Sequence, residues 1–174
     1  MNENGKLALR SIGDLVVYRK SGVCRIIDIT LRDFGDQGKK EYYVLSSVYD
    51  NYSKIFIPVG SKLDEEMTEL LSKKEINNII DRSEKVETVW ENDGKKRAIL
   101  FDGIINGGTH EEIIHMVNEL RKFKEQLRES KKMLKSNDSR YLSLGENIIS
   151  GEFAYVLGKK KDEVFAYIDE RLNK

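Results

Sequence analysis

The chain has 174 residues, 39% hydrophobic and 34% charged, enough for one ordinary domain or two small ones but polar for a single compact globule. Its 30 basic and 30 acidic residues cancel, so bulk charge gives no footprint of nucleic-acid binding and any such case rests on local clusters. No apolar run approaches the ~18–20 residues of a membrane span, the N-terminus lacks a signal-peptide core, and the lone Cys24 excludes an internal disulfide, which points to a reducing cytoplasm.

The first sixty residues read as strands. Ile12–Tyr18 is a short β-rich run closed by the turn Arg19-Lys20-Ser21-Gly22. Val23–Leu31 follows, with Val23, Ile27, Ile29 and Leu31 at odd positions and Asp28 and Thr30 among the even ones, the period of a strand with one wet face. Cys24 fits that strand as a small core residue. Gly35-Asp36-Gln37-Gly38 is turn chemistry, Tyr42–Tyr49 a third strand, and Ser53–Val59 a fourth after Asp50-Asn51. Pro58, the only proline, cannot donate a ladder hydrogen bond, which puts the fourth strand at an edge or at its own end. Four or five short antiparallel strands in this length predict a small SH3-like or Tudor-like barrel.

Beyond Gly60 the pattern turns helical. Ser72-Lys73-Lys74-Glu75 is a capping box opening a short helix through Ile76, Ile79 and Ile80, and the polar stretch Asp81 to Thr88 reads as a linker. A helix from about Lys95 to Ile105 is predicted to end at Asn106-Gly107-Gly108 through a left-handed cap. Thr109-His110-Glu111-Glu112, a second capping box, starts a long helix reaching about Leu134, striped by Ile113, Met116, Val117, Leu120, Phe123 and Leu127. Asp138 caps a helix through Leu157 that Gly158 ends, and Asp162–Leu172 is the last. The predicted fold is therefore α+β: an N-terminal β module over residues 1–62, a short helix and linker over 63–88, and a bundle of about four helices over 89–174.

Catalytic chemistry is thin. His110 and His115 are five apart, which does not put them on one helix face as a zinc pair, and one cysteine cannot supply a CxxC motif. Gly107-Gly108-Thr109 follows a helix rather than a strand and has no Walker lysine, so a C-cap followed by an N-cap is the simpler reading. With no nucleophile beside a base, the expectation is a protein that is not an enzyme and uses no metal, cofactor or small-molecule substrate.

Two basic clusters rise above that background. Arg121, Lys124, Arg128, Lys131 and Lys135 recur at spacings of three and four, one side of a helix that either contacts phosphates or keeps a bundle soluble. The segment Val89-Trp90-Glu91-Asn92-Asp93-Gly94-Lys95-Lys96-Arg97 puts the only tryptophan before a basic triplet at a helix start. Such an indole is either a core anchor or a wedge for the minor groove, with the cations on phosphates.

Gly13-Asp14-Leu15-Val16-Val17-Tyr18 followed by Ser21-Gly22-Val23 resembles the opening of the CarD/CdnL family of bacterial transcription regulators, a module also found in the transcription-repair coupling factor. Glu41-Tyr42-Tyr43-Val44-Leu45 and Ile57-Pro58-Val59 are similar to its next strands, and Trp90, Asp138-x-Arg140-Tyr141-Leu142 and Glu152-Phe153-Ala154 to its helical part. The resemblance implies an N-terminal module on the RNA polymerase β subunit and a helical domain on promoter DNA at the upstream edge of the melted region. There a tryptophan in the minor groove stabilises the open complex. It implies polymerase contacts at Arg32, Lys54, Ile55 and Phe56, DNA contacts at Trp90, Lys95, Lys96, Arg97 and Arg140, and a cytoplasmic, nucleoid-associated protein. The alternative is a protein-only adaptor that binds polymerase or another protein without touching DNA.

Overall fold

The computed structural model describes residues 10–18, 21–35, 38–50, 52–87 and 90–173. Parts of the predicted turns at Arg19-Lys20, Asp36-Gln37 and Asn51, and Thr88 and Val89, lie outside the described residues. The chain divides into two compact units, Met1–Leu70 and Leu71–Lys174.

The N-terminal unit is built on β1 (Leu15–Tyr18), β2 (Gly22–Arg32), β3 (Lys40–Ser47), β4 (Lys54–Pro58) and β5 (Met67–Thr68), with a one-turn helix α1 (Lys62–Glu65) between the last two. The sheet order is β4-β3-β2-β1-β5, antiparallel in every pair. Consecutive short strands pair with their neighbours, and Pro58 lies where it was expected, on an edge strand and at its end. Among the described residues no ladder joins β4 to β5, and α1 packs against both. The core holds Val16, Tyr18, Cys24, Ile26, Tyr43, Leu45, Ile57 and Met67. Burial pushes the Cys24 thiol above its ordinary pKa. Arg10, ahead of β1, pairs with the buried carboxylate of Asp64 and donates to the Met67 carbonyl at 2.7 Å, so α1 and β5 are tied to the start of the sheet.

The strict alternation expected of β2 fails at its middle. Ile26 pairs with Leu45 and Asp28 with Val44, so Ile27 is an extra residue, a β-bulge. Ile26 is consequently buried and Ile27 exposed, the reverse of the sequence expectation.

Among its described residues the C-terminal unit contains five α-helices, the expected short one and four over residues 89–174: α2 (Lys73–Ser83), α3 (Gly94–Gly107), α4 (His110–Glu129), α5 (Ser136–Leu157) and α6 (Val164–Leu172), the last preceded by a 3-10 turn at Lys161–Glu163. The segment expected as a separate short helix and linker is not separate: Ile76, Ile79 and Ile80 of α2 lie in the same core as Phe101, Ile114, Leu120, Ile149, Phe153 and Ile168. Buried Glu152 of α5 accepts the Leu71 N–H at 2.7 Å just ahead of α2. The capping boxes at Ser72/Glu75 and Thr109/Glu112 both form.

Three helix ends differ from the sequence reading. Gly108 caps α3 in an extended conformation, not a left-handed one, and a side chain there would meet the Ile104 carbonyl oxygen at 2.7 Å. Lys135 holds the N-cap position of α5, and Asp138 lies inside the first turn. α4 stops at Glu129, one turn before the expected Leu134, because Lys131 is left-handed (φ 55°). Its N–H donates to the Arg128 carbonyl at 2.9 Å and that of Lys132 to Leu127 at 2.7 Å, which is the Schellman arrangement with a lysine where glycine is usual. Replacing Lys131 with glycine should raise stability by about 0.5–1 kcal/mol, since the strained conformation would then carry no Cβ. Urea melts of the two proteins check this.

Gly145 of α5 lies against α4: a Cβ there would be 2.5 Å from Val117 Cγ2 and 3.0 Å from Met116 Cε. Gly145→Ala should destabilise the unit by about 1–2 kcal/mol, overpacking outweighing the gain in helix propensity. A thermal melt unchanged or raised by the substitution would contradict this packing.

Candidate functional site

In the helical unit Arg97 and Asp138 are brought to Trp90, but not in the roles expected. The indole is half-buried, with ring centroids 4.9 Å from Phe123 and 6.3 Å from Phe101, and it packs on the core. The Arg97 guanidinium sits 4.8 Å from the indole centroid. Arg97 is only 4% exposed. Its Nε and Nη2 donate to the two carboxylate oxygens of Asp138 at 3.0 and 2.7 Å, and Nη1 donates to the Glu91 carbonyl at 2.7 Å and the Asn92 carbonyl at 3.3 Å. A planar five-donor fork matched to a carboxylate on one side and two carbonyls on the other is a clamp for the segment entering α3. Arg97 is therefore corrected from a phosphate contact to an internal strut, because its donors are engaged and it is buried.

Lys95 and Lys96 remain available: both are exposed on α3, and their N–H groups are capped by Asp93. Those hydrogen bonds hold the Asp93 carboxyl below its usual pKa. Arg140 is exposed on α5, its guanidinium 5.3 Å from the Tyr141 ring. The basic row on α4 does not survive as a row. Arg121 is drawn to Asp169 at 3.0 Å and to the Phe165 ring at 5.2 Å, and Arg128 to Glu125 at 3.5 Å, while Lys131 and Lys135 lie beyond the helix end. The chain beyond α4 instead closes one side of an open groove of about 530 Å³ next to Trp90. Phe123, Leu127 and Met133 form apolar walls and Lys132 and Lys135 supply charge. The sequence showed these residues as a stripe and a row, and only the early stop of α4 turns them toward one another. The two histidines hold no metal set: His110 stacks on Phe153 with its Nε2 3.6 Å from Glu152, and no metal-type cluster occurs among the described residues.

In the N-terminal unit, β4 is an edge strand among the described residues and has a mixed face. The Val59 N–H donates to the Glu41 carbonyl, and by the alternation of an antiparallel ladder Ile57 and Ile55 also turn their backbone groups toward β3. Lys54 and Phe56 thus point their N–H groups away from the sheet, and Pro58 has none. Side chains follow the same parity. Ile55 turns inward and packs on the core, whereas Lys54 and Phe56 share the outer face with Tyr42 and Val44. Phe34, 63% exposed, sets its ring 5.3 Å from Phe56 and 5.0 Å from Tyr42. Arg32 pairs with Lys40 at the exposed end of β2 and is on this outer face.

Residues 11–70 match the family model described as CarD-like/TRCF RID domain. The N-terminal unit belongs to the CarD-like/TRCF RID family. The matched segment ends at Leu70, the last residue of the unit, so Asp64 and β5 lie within it and the expected boundary at residue 62 would cut them off. Comparison with curated proteins returns no match. Of the four expected contact residues, three share the outer face of the RID domain and one, Ile55, does not: it is corrected to a core-facing position by the parity of β4. Phe34 and Tyr42, which sequence reasoning passed over, complete the aromatic cluster. The available signal was an exposed-turn phenylalanine beside a tyrosine-rich strand. No helix among the described residues is long and apolar enough to cross a membrane.

Proposed function

We propose that this chain is a bacterial transcription regulator. In this reading the RID domain docks on the β subunit of RNA polymerase, and the helical unit contacts promoter DNA at the upstream edge of the melted region, stabilising the open complex. It acts without catalysis, cofactor or small-molecule substrate, in the cytoplasm with the nucleoid. The observation that carries the reading is the free edge of β4 beside an exposed aromatic cluster in a domain of the RID family. An edge with outward N–H groups at Lys54 and Phe56 can accept an added strand, while Phe34, Tyr42 and Phe56 give apolar contact and Arg32 and Lys54 give charge. On the helical unit the proposed DNA contacts are Trp90, Lys95, Lys96 and Arg140.

Pull-down of the full chain with the β subunit tests the docking. Arg32→Glu combined with Phe56→Ala should weaken binding by at least about 30-fold, as loss of an aromatic anchor of ~2 kcal/mol does. Lys54→Pro removes an outward N–H without breaking a bond to β3, so it should weaken binding while leaving the melting temperature nearly unchanged. Wild-type retention by both variants would mean that the interface lies elsewhere.

The protein-only adaptor remains a second reading, favoured by one observation: Trp90 is packed and clamped rather than free. Binding of duplex DNA by the full chain across a salt series separates the two. The regulator reading expects Lys95→Ala with Lys96→Ala to flatten the salt dependence by roughly 0.9 per lost phosphate contact. The adaptor reading expects no DNA binding to flatten.

A further inference from the structure

We propose that the exposed face of α3 pairs with the same face of a second copy of this chain, antiparallel, with Ile99 near the two-fold axis. Such pairing does not depend on the DNA reading above, although both involve Lys95. α3 turns Arg97, Phe101, Ile104 and Ile105 into its own unit. On the other side it leaves Ile99 76% exposed, more open than any other described isoleucine or leucine. Nothing local accounts for that residue. A β-branched side chain adds no helix propensity, and at this exposure it adds little packing within the chain.

The face suits a second copy in shape and charge. Lys95 lies four residues before Ile99, Asp102 three after it and Gly103 four after it, spacings that put all four side by side on one helix surface. A Cβ built on Gly103 would meet nothing within 4 Å, so the surface beside Ile99 is open to another backbone. Reversing a second copy of α3 about an axis near Ile99 sets Lys95 of each chain against Asp102 of the other. A two-fold contact is self-complementary, so one cation and one carboxylate per copy give two ion pairs. Among the described residues neither Lys95 nor Asp102 takes part in an ion pair within the chain, and the Asp102 carboxylate accepts the side-chain amide of Asn106 at 3.1 Å. A helix of 14 residues is ~21 Å long, so the contact falls at the small end of specific interfaces and the pair is weak and concentration-dependent. Lys95 is among the proposed DNA contacts, so pairing through α3 would hide it and compete with a duplex.

Sedimentation velocity of the full chain across about 5–500 μM, a span suited to a low-end interface, reads the pairing. The sedimentation coefficient should rise toward that of a dimer, and added salt should oppose the rise. Ile99→Glu should hold the chain monomeric over the whole range, with its melting temperature near wild type because the position is exposed. Asp102→Lys should weaken pairing at least about tenfold, since it sets like charges opposite one another. Lys95→Asp combined with Asp102→Lys should restore it, the reversed charges meeting again across the axis. A short duplex added at high chain concentration should return the protein to monomers on DNA. A wild-type chain that stays monomeric throughout would overturn the proposal; if Ile99→Glu then weakens retention of the polymerase β subunit, the face belongs to polymerase. A charge swap that pairs no more tightly than Asp102→Lys alone would overturn the antiparallel register, and dimers that persist intact on the duplex would overturn the competition. A chain that pairs as described but ignores the duplex would support the pairing and count against the DNA reading alone.

Discussion

Asp138→Ala should destabilise the helical unit by about 3–5 kcal/mol, the usual cost of removing one partner from a buried ion pair. Asp138 and Arg97 have side chains 4% and 5% exposed, and the substitution would leave a guanidinium in the core with no counter-charge. The Arg97 donors to Glu91 and Asn92 would then hold a charged group away from water, and the whole Trp90 segment would loosen with it. The expected record is a melting transition of the helical unit shifted down strongly while that of the RID domain stays in place. Replacing both partners with apolar residues of similar length, Arg97→Met with Asp138→Leu, should recover most of the loss, because no unpaired charge remains. If the single alanine variant melts like wild type, the pair is not holding this segment.

Trp90→Ala should cost about 2–4 kcal/mol, somewhat less than truncation of a fully buried aromatic, because the indole is half-buried but packed on two rings and beside a guanidinium. Sequence reasoning set two outcomes against each other, a free wedge whose removal spares the fold and an anchor whose removal does not. The structure moves the expectation to the anchor side. The residue still borders the groove, so loss of DNA binding by the alanine variant would be ambiguous alone. Trp90→Phe resolves it: the smaller ring keeps part of the packing and should hold the melting temperature close to wild type. It should also lower open-complex lifetime, because less aromatic surface faces the DNA. Equal lifetimes for wild type and Trp90→Phe would argue that the indole serves packing only.

The elements that sequence predicted well are those whose determinants are local. The Ser72 and Thr109 capping boxes announce helix starts within four residues, and Pro58 confines its strand to an edge or itself to the strand's end because the missing N–H is a property of the residue itself. The misread elements depend on partners far along the chain. Arg97 looks like a surface cation until Asp138, forty-one residues away, is brought against it. The end of α4 carries no glycine, and nothing in Ser130-Lys131-Lys132 alone says that a lysine will adopt the left-handed conformation. Phe123 and Leu127 read correctly as an apolar stripe, but that they end in an open groove rather than a closed core follows from the early helix stop. Ile55 was misassigned for a simpler reason: its strand was recognised while its parity was not.

The extra residue in β2 has a consequence beyond its own strand. Up to Ile26 the even-numbered side chains of β2 point into the core, and past Ile27 the odd-numbered ones do, starting with Ile29. Arg32 stands on the same side as Phe56 and Lys54 only because of that half-turn in phase. Were Ile27 drawn into a regular ladder instead, with no residue left over, strict alternation would send Asp28, Thr30 and Arg32 toward the interior and Ile29 outward. One inserted residue thus acts as a gear between two halves of a strand: the first half is geared to the needs of the core, the second to the display of a charged side chain. An insertion in this stretch, or a deletion of any residue other than Ile27, should accordingly be less tolerated than a substitution of the exposed Ile27.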